Sequence, residues 1–480
     1  MSQTQTVSQE TKNVSMDPAS NKMPPQIKYI IGNEVCERYS FYGMRSILTM
    51  FMIIHLLFDK GKAEGVYHLF VASAYFTPII GGYISDRFWG KFRTIMILSL
   101  FYCVGHGVLA LMEVSSITAF ITPDHLLYLG LFLIALGAGG IKPCVSANVG
   151  DQFTQKNQHL IKKVFHWFYF SINFGSFFST LLTPWILKHY GSGWAFGIPG
   201  VLMAIATLFF WMGRHHMVKV PPTGKNPHGT LGVLTSALKN FGGSKGFFAG
   251  AEKDHPREAV DAVRSAFNVG RIFIPLTLFW ALFDQHGSTW VVQASKMNLN
   301  WLGFNFEASQ SSSLNPILVL ILIPIFSGWL YPAIERRGFQ LTPIRKMSIG
   351  MFFASLSFVL MALIQYSLDA GNLLSVGYQV FPYLALTIAE ILISITGLEF
   401  AYTQAPRSMK STIMGLWFLS ISLGNLLAGY IASSNDFEGG HFFMFFAGLT
   451  LIFSFVFILV AKSYKMKNFV ESDQSSSTQA

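Results

Sequence analysis

Asn33-Glu34-Val35-Cys36-Glu37-Arg38-Tyr39-Ser40-Phe41-Tyr42-Gly43-Met44-Arg45 places two acids and two bases inside an apolar stretch running from Gln26 to Leu57. A stretch of that length reads as a membrane-crossing helix, since about 20 apolar residues span the hydrocarbon core. Charges at such depth cost at least about 2.5 kcal/mol each and persist where they face a cavity or a partner. Wound at about 100° per residue, Glu34, Glu37, Arg38, Phe41, Tyr42 and Arg45 fall on one face roughly 140° wide. Arg38 between two carboxylates forms a buried network in which one acid takes a proton when the base turns to another anion. A static ionic lock between helices needs fewer charges. The pattern points to proton-coupled movement of a charged solute.

Eleven further apolar segments follow, near Ala63–Ser85, Thr94–Met112, Asp124–Val149, Val164–Lys188, Trp194–Gly213, Ile272–Ala294, Ser312–Ala333, Ile344–Tyr366, Gly377–Tyr402, Thr412–Ala432 and His441–Ala461. Only 12% of residues are charged, half of what soluble domains carry (about 25%), so the chain is one all-α integral membrane unit. Its division is a disordered polar tail (1–25), a six-helix bundle (26–213), an inter-bundle loop (214–270), a second six-helix bundle (271–463) and a second tail (464–480). Within the loop, Leu231–Phe241 and Arg257–Phe267 have the pattern of short amphipathic helices. The net charge of +10 does not describe a nucleic-acid surface. Lysine and arginine gather in the two tails and in the loops after even-numbered helices, while the opposite side holds Lys60, Lys62, Lys188 and Lys296. That asymmetry puts both termini in the cytoplasm. Cys36, Cys103 and Cys144 all lie within spans and give no disulfide framework.

Four stretches then carry a family resemblance. Glu34-x-x-Glu37-Arg38-Tyr-Ser-Phe41-Tyr42-Gly43 resembles the first-helix signature of the proton-dependent oligopeptide transporters, a family of the major facilitator superfamily. Gly82-Tyr-Ile-Ser-Asp86-Arg87-Phe-Trp-Gly90-Lys91, Phe165-His-Trp-Phe-Tyr169-Phe-Ser-Ile-Asn173-Phe-Gly175 and Gly397-Leu-Glu399-Phe-Ala-Tyr402-Thr-Gln-Ala-Pro406 resemble three further motifs in the same order. One departure is Phe41, where the family usually has the first of two tyrosines. The resemblance implies the major facilitator fold, about 12 transmembrane helices in two bundles, and symport of protons with di- and tripeptides by alternating access. The cell (inner or plasma) membrane is the implied location. The expected partners are protons, peptides and the lipid bilayer, with a monomer as the working unit and no cofactor, metal or nucleic acid.

Candidate roles follow from residue chemistry and from that resemblance together. Lys142 lies mid-span in Gly137-Ala-Gly-Gly-Ile-Lys142-Pro143, where small residues let helices approach and Pro143 bends the chain. The resemblance makes Glu399 its partner in an inner gate, and leaves Glu390, nine residues away and half a turn round a straight helix, as a structural ion. His68 matches a histidine that animal-type members use in proton coupling. Asp284 is the one acid expected in the seventh helix and can pair with Arg45 or His68 as an outer gate, while His106 has no motif and is read as structural. Proton coupling is thus assigned to Glu34, Glu37, Arg38, His68 and Glu399. A zwitterionic peptide needs a cation for its carboxylate, here Arg38 and Lys142, and an anion for its amine, here Glu399. Tyr169, Asn173 and Asn315 are candidates for peptide backbone hydrogen bonds, with Tyr42, Tyr75, Trp280 and Trp417 as walls. Another anionic or zwitterionic solute, or a peptide sensor, remains the alternative. No nucleophile elbow, zinc-type His-Glu motif or phosphate loop marks an enzyme.

Overall fold

The glycines around Lys142 show how the helices are brought together. A Cβ on Gly81 would meet the Cα of Gly140 at 2.5 Å, and one on Gly137 would meet the Leu98 carbonyl at 2.7 Å. Three helices therefore cross backbone to backbone at this level, which only small residues permit. The computed structural model describes residues 22–154, 157, 160–224, 226–241, 247–404, 406, 409–434 and 438–464. Most of the expected tails, 1–25 and 464–480, and Ala405 of the tenth-helix motif lie outside the described residues.

Among the described residues, nine helical runs are long and apolar enough to cross a membrane, and one of them, Lys60–Glu113, has 54 residues and holds two spans. Two more long helices, Ile27–Ile54 and Ile161–Tyr190, are less apolar because they carry buried ions or many hydroxyl and aromatic side chains. Span 1 is Ile27–Ile54, span 2 Lys60–Ile84, span 3 Gly90–Ala110, span 4 Pro123–Asp151, span 5 Ile161–Tyr190 and span 6 Ser192–Met212. Span 7 is Arg257–Phe283, continued past a tight turn by Thr289–Ala294; span 8 runs from Leu314 to Arg336. Span 9 is Pro343–Asp369, span 10 Val380–Thr403, span 11 Lys410–Ser434 and span 12 Gly439–Lys462. An even number of crossings puts both ends of the chain on one side, called here the termini end, opposite the far end.

Three spans are interrupted or ended by π-helical turns, at Ser85–Trp89, Phe326–Leu330 and Ile391–Ile395. Such turns take in an extra residue, so the side chains beyond them change face. The second amphipathic segment of the linker is not separate. Arg257–Phe267 is the start of span 7, because Val260, Val263, Ala266 and Val269 bury one continuous face against the rest of the second half. The first segment does form a short helix, Thr230–Lys239. Between spans 7 and 8 lies an unanticipated hairpin that pairs Asn300 with Asn305 and Trp301 with Phe304. Its turn residues Leu302 and Gly303 both have positive φ, at 54° and 81°, as a two-residue turn of this twist requires.

The linker is fastened to both halves. Val218 and Gln152 exchange two hydrogen bonds of 2.9 and 3.2 Å, and Thr223 bonds the Asp86 carbonyl at 3.2 Å. On the other side, the Thr230 hydroxyl lies 2.6 Å from that of Thr412, at the start of span 11.

Candidate functional site

Span 1 packs against spans 5 and 6, and its polar face turns inward. Arg38 Nε lies 2.6 Å from Glu34 Oε1 and 3.0 Å from Glu37 Oε2. Both acids are 1% exposed, so three charges share one dry patch. That arrangement is tolerable because each charge has a counter-charge in contact. Among the described residues the carboxylate oxygens of Glu37 find no hydrogen bond, so Glu37 is the less firmly held of the two acids.

Lys142 faces this patch from span 4. Its Nζ sits 4.4 Å from the Phe41 ring centre and 4.0 Å from that of Tyr75, and has no hydrogen-bond partner among the described residues. Phe41 therefore offers the ammonium a π face where a tyrosine would also bring a hydroxyl. The expected Lys142–Glu399 ion pair is not formed. Glu399 is exposed, with Tyr331 of span 8 as its electrostatic neighbour.

Glu390, read from the sequence as a structural ion, is instead the acid of span 10 that is held by a polar partner on span 8. Asn315 Nδ2 donates to Glu390 Oε2 at 2.7 Å and to Thr387 Oγ1 at 3.2 Å. Tyr42 of span 1 and Tyr169 of span 5 both lie within electrostatic reach of Glu390. The physical reason is the π turn Ile391–Ile395, which separates the two acids and voids a register counted along a straight helix. Asn315 was the usable signal, since a buried amide on one span calls for a polar partner on its neighbour.

The remaining candidates divide between this cluster and its walls. Asn173 Nδ2 is turned back to the Tyr169 carbonyl at 3.0 Å, one turn earlier on span 5. Trp280 and Trp417 meet edge to face at 5.7 Å, and the Trp280 Nε1 donor is unpaired. Tyr75 approaches Phe418 of span 11 at 6.3 Å across the two halves. His106 is fully buried against Tyr102, stacked at 5.2 Å within span 3 and away from the ions of span 1.

At the far end the halves are bolted together. Arg45 donates to Asp284 Oδ1 at 2.5 Å and to the Tyr67 hydroxyl at 2.6 Å. Asp284 Oδ2 accepts from Asn425 at 2.7 Å, and Asn425 Oδ1 lies 2.9 Å from His68 Nδ1. His68 Nε2 meets the Ser288 hydroxyl at 2.9 Å. Asp284 thus pairs with Arg45 and reaches His68 only through Asn425. Thr49 adds a bond to the Gly287 carbonyl at 3.1 Å, and Ser422 one to the Ala72 carbonyl at 2.9 Å. Tyr67, Asn425 and Ser288 were not singled out from the sequence. Each is a lone polar group in an apolar run, without a motif to mark it.

The POT family profile matches residues 92–437. Peptide transporter 3 of Caenorhabditis elegans is 40% identical over 361 residues, covering 72% of this chain and 51% of that protein. Human solute carrier family 15 member 1 is 37% identical over 72% of this chain and 52% of its own length. The chain spans about half the length of these curated relatives. Among solved structures, the POT family transporter PepTSo aligns with a TM-score of 0.86 at 43% identity, over 92% of this chain and 99% of that one. A membrane chain whose twelve spans form two six-helix bundles of this topology has the major facilitator fold. The chain belongs to the POT family.

Proposed function

We propose that the chain is a proton-coupled symporter of di- and tripeptides that works by alternating access, with its termini end in the cytoplasm, as a monomer in the cell membrane and without enzymatic activity. The observation that carries this reading is an asymmetry between two sets of buried charge. Arg45 and Asp284 are paired across the halves at the far end, whereas Lys142 has no anionic contact among the described residues. A pathway sealed on one side, with a free cation below the seal, supports a carrier waiting for an anionic group rather than an open pore. The bundles of spans 1–6 and spans 7–12, the second beginning at Arg257, are the two moving parts, with the fastened linker between them.

In this reading Arg38 and Lys142 receive the peptide carboxylate and Glu390 receives the amine. Tyr42, Tyr169, Asn173 and Asn315 serve the peptide backbone, and Tyr75, Trp280 and Trp417 form walls that adapt to the side chains. Arrival of a carboxylate at Arg38 weakens its hold on Glu34 and Glu37, and a proton on one of those acids restores neutrality. His68, joined to the Arg45–Asp284 pair through Asn425, links protonation to the outer seal. Among the described residues, Glu399 has no contact that would give it a part in binding.

Competition against a labelled dipeptide in liposomes holding the purified chain tests the recognition model. Losing a charge-assisted contact in a dry site costs about 1.5–3 kcal/mol, or roughly ten- to a hundredfold in affinity. N-acetylated and C-amidated dipeptides should therefore compete at least tenfold less well than Ala-Ala, while Phe-Ala and Leu-Ala stay closer to it. Glu390→Gln should lose about tenfold in affinity for the free peptide, and Glu399→Gln should stay within about twofold. Equal competition by capped and free peptides removes the zwitterion model in favour of another solute. A reversed ranking of the two glutamates returns the amine site to Glu399.

A further inference from the structure

The linker helix Thr230–Lys239 carries apolar side chains on two sides. Val233 and Ala237 turn inward and join the same core as Val260 and Val263 at the base of span 7. Wound at about 100° per residue, Leu231 and Leu238 fall about 20° apart, on the side away from that buried face. Both are 64% exposed, and Phe241, just past the end of the helix, is 71% exposed. Large apolar groups gathered on one outward side mark a surface that something other than water covers.

The depth of the helix says what the cover is. Thr230 opens it, and the Thr230 hydroxyl lies 2.6 Å from that of Thr412, where span 11 begins. Past its other end, Phe241, Phe247 and Phe248 form a ladder of rings with centres 5.9 and 5.0 Å apart, which ends on Phe267 of span 7 at 5.9 Å. Gly270 of span 7 lies against Leu416 of span 11, where an added Cβ would meet Leu416 Cδ1 at 2.9 Å. Both spans run from the termini end, so at about 1.5 Å per residue Phe267 stands level with Ile413, next to Thr412. Both ends of the segment are thus tied at one depth, where span 11 enters the membrane. Phe267 also fixes the side. Ile274, two turns further along the same face of span 7, is 64% exposed in a stretch that crosses the hydrocarbon, so lipid covers it. Arg271, exposed between them, marks the headgroup level. The phenylalanine ladder therefore continues the lipid-facing side of span 7 to the outward stripe of the linker helix. Lys239, exposed at the border of that stripe, has the stem to lie along apolar surface while its ammonium reaches phosphate.

We propose that Thr230–Lys239 is an in-plane membrane anchor, with Leu231, Leu238 and Phe241 set into the acyl boundary of the leaflet at the termini end and Lys239 among its phosphates. Helices of this kind bind by sinking one apolar face about 5–10 Å into that boundary. The anchor gives the linker a third attachment, beside its bonds to the two halves. Because its inner face packs on the base of span 7, it holds the linker to the second half while the first half moves. Nothing in it depends on the solute carried, so it stands apart from the peptide-symport reading.

The test is the collision of nitroxide labels with oxygen, which concentrates in lipid, and with a nickel chelate, which stays in water. The full chain is placed in liposomes of phosphatidylcholine and phosphatidylglycerol, labelled singly at Leu231→Cys or Leu238→Cys, and the signal of the labelled parent chain is subtracted. Ile274→Cys serves as the lipid reference and Glu258→Cys, exposed at the base of span 7, as the water reference. The oxygen-to-nickel ratio at both linker positions should exceed that at Glu258→Cys at least about fivefold and approach that at Ile274→Cys. Adding Leu231→Gln should bring the label at Leu238→Cys back toward the water reference. Ratios equal to that of Glu258→Cys put the stripe in water and overturn the anchor. Few collisions with either reagent also overturn it: broadening that fades on dilution with unlabelled chain assigns the stripe to a second copy, and unbroadened spectra assign it to another segment of the same chain.

Discussion

Asp284→Asn is expected to open the far-end seam. Removing one partner of a buried ion pair costs about 3–5 kcal/mol, because the other charge is left stranded. Arg45 would keep only the Tyr67 hydroxyl at 2.6 Å as a neutral partner, and Asn425 would lose the carboxylate that orients it toward His68. Little of that cost is felt when the seam is open and Arg45 is wet, so the closed state alone is penalised. The ratio of open to closed should rise by on the order of a hundredfold or more. Spin labels on Leu57 and Leu373, exposed far-end positions in opposite halves, read the change as a shift to longer distances. An unchanged distance distribution would mean that Thr49, Ser422 and helix packing hold the seam without the ion pair.

The second large effect falls on coupling. Glu37→Gln, and equally Glu34→Gln, should abolish uphill peptide uptake, at least a tenfold loss, while downhill exchange survives. An amide keeps the shape of the side chain but cannot carry the proton that balances Arg38 when a substrate carboxylate arrives. Glu37 is the sharper test, since its oxygens have only the ion-pair contact with Arg38 at 3.0 Å and no hydrogen bond. Peptide concentrated against its gradient by both variants would move the coupling element away from span 1.

Much of the architecture was legible because bilayer thickness sets helix length and burial of charge is expensive. Twelve apolar segments and the ionic face of span 1 follow from those two facts alone. What escaped was whatever depends on departures from a straight α-helix. Glu390 and Glu399 were placed on opposite sides of a straight helix, but the π turn at Ile391–Ile395 has no compositional mark, and the Asn315 contact that singles out Glu390 appears only in the fold. Arg257–Phe267 was separated from span 7 because its outer face is charged; Val260, Val263 and Ala266 show that its inner face continues the core. Phe41 stood out in the sequence as a missing hydroxyl, and only the structure gives it a contact, the ammonium of Lys142 at 4.4 Å. Asn425, Ser288 and Tyr67 became visible only once folding brought spans 2, 7 and 11 to one seam.

The most direct test of proton-coupled peptide symport is uptake of labelled Ala-Ala into liposomes holding the purified chain, with and without an inward proton gradient. With the gradient, the peptide should accumulate above its external concentration, saturate with rising peptide, and carry protons inward; a protonophore should reduce it to equilibration. Uptake that reaches the same level with and without the gradient, and moves no protons, would contradict the proposed symport.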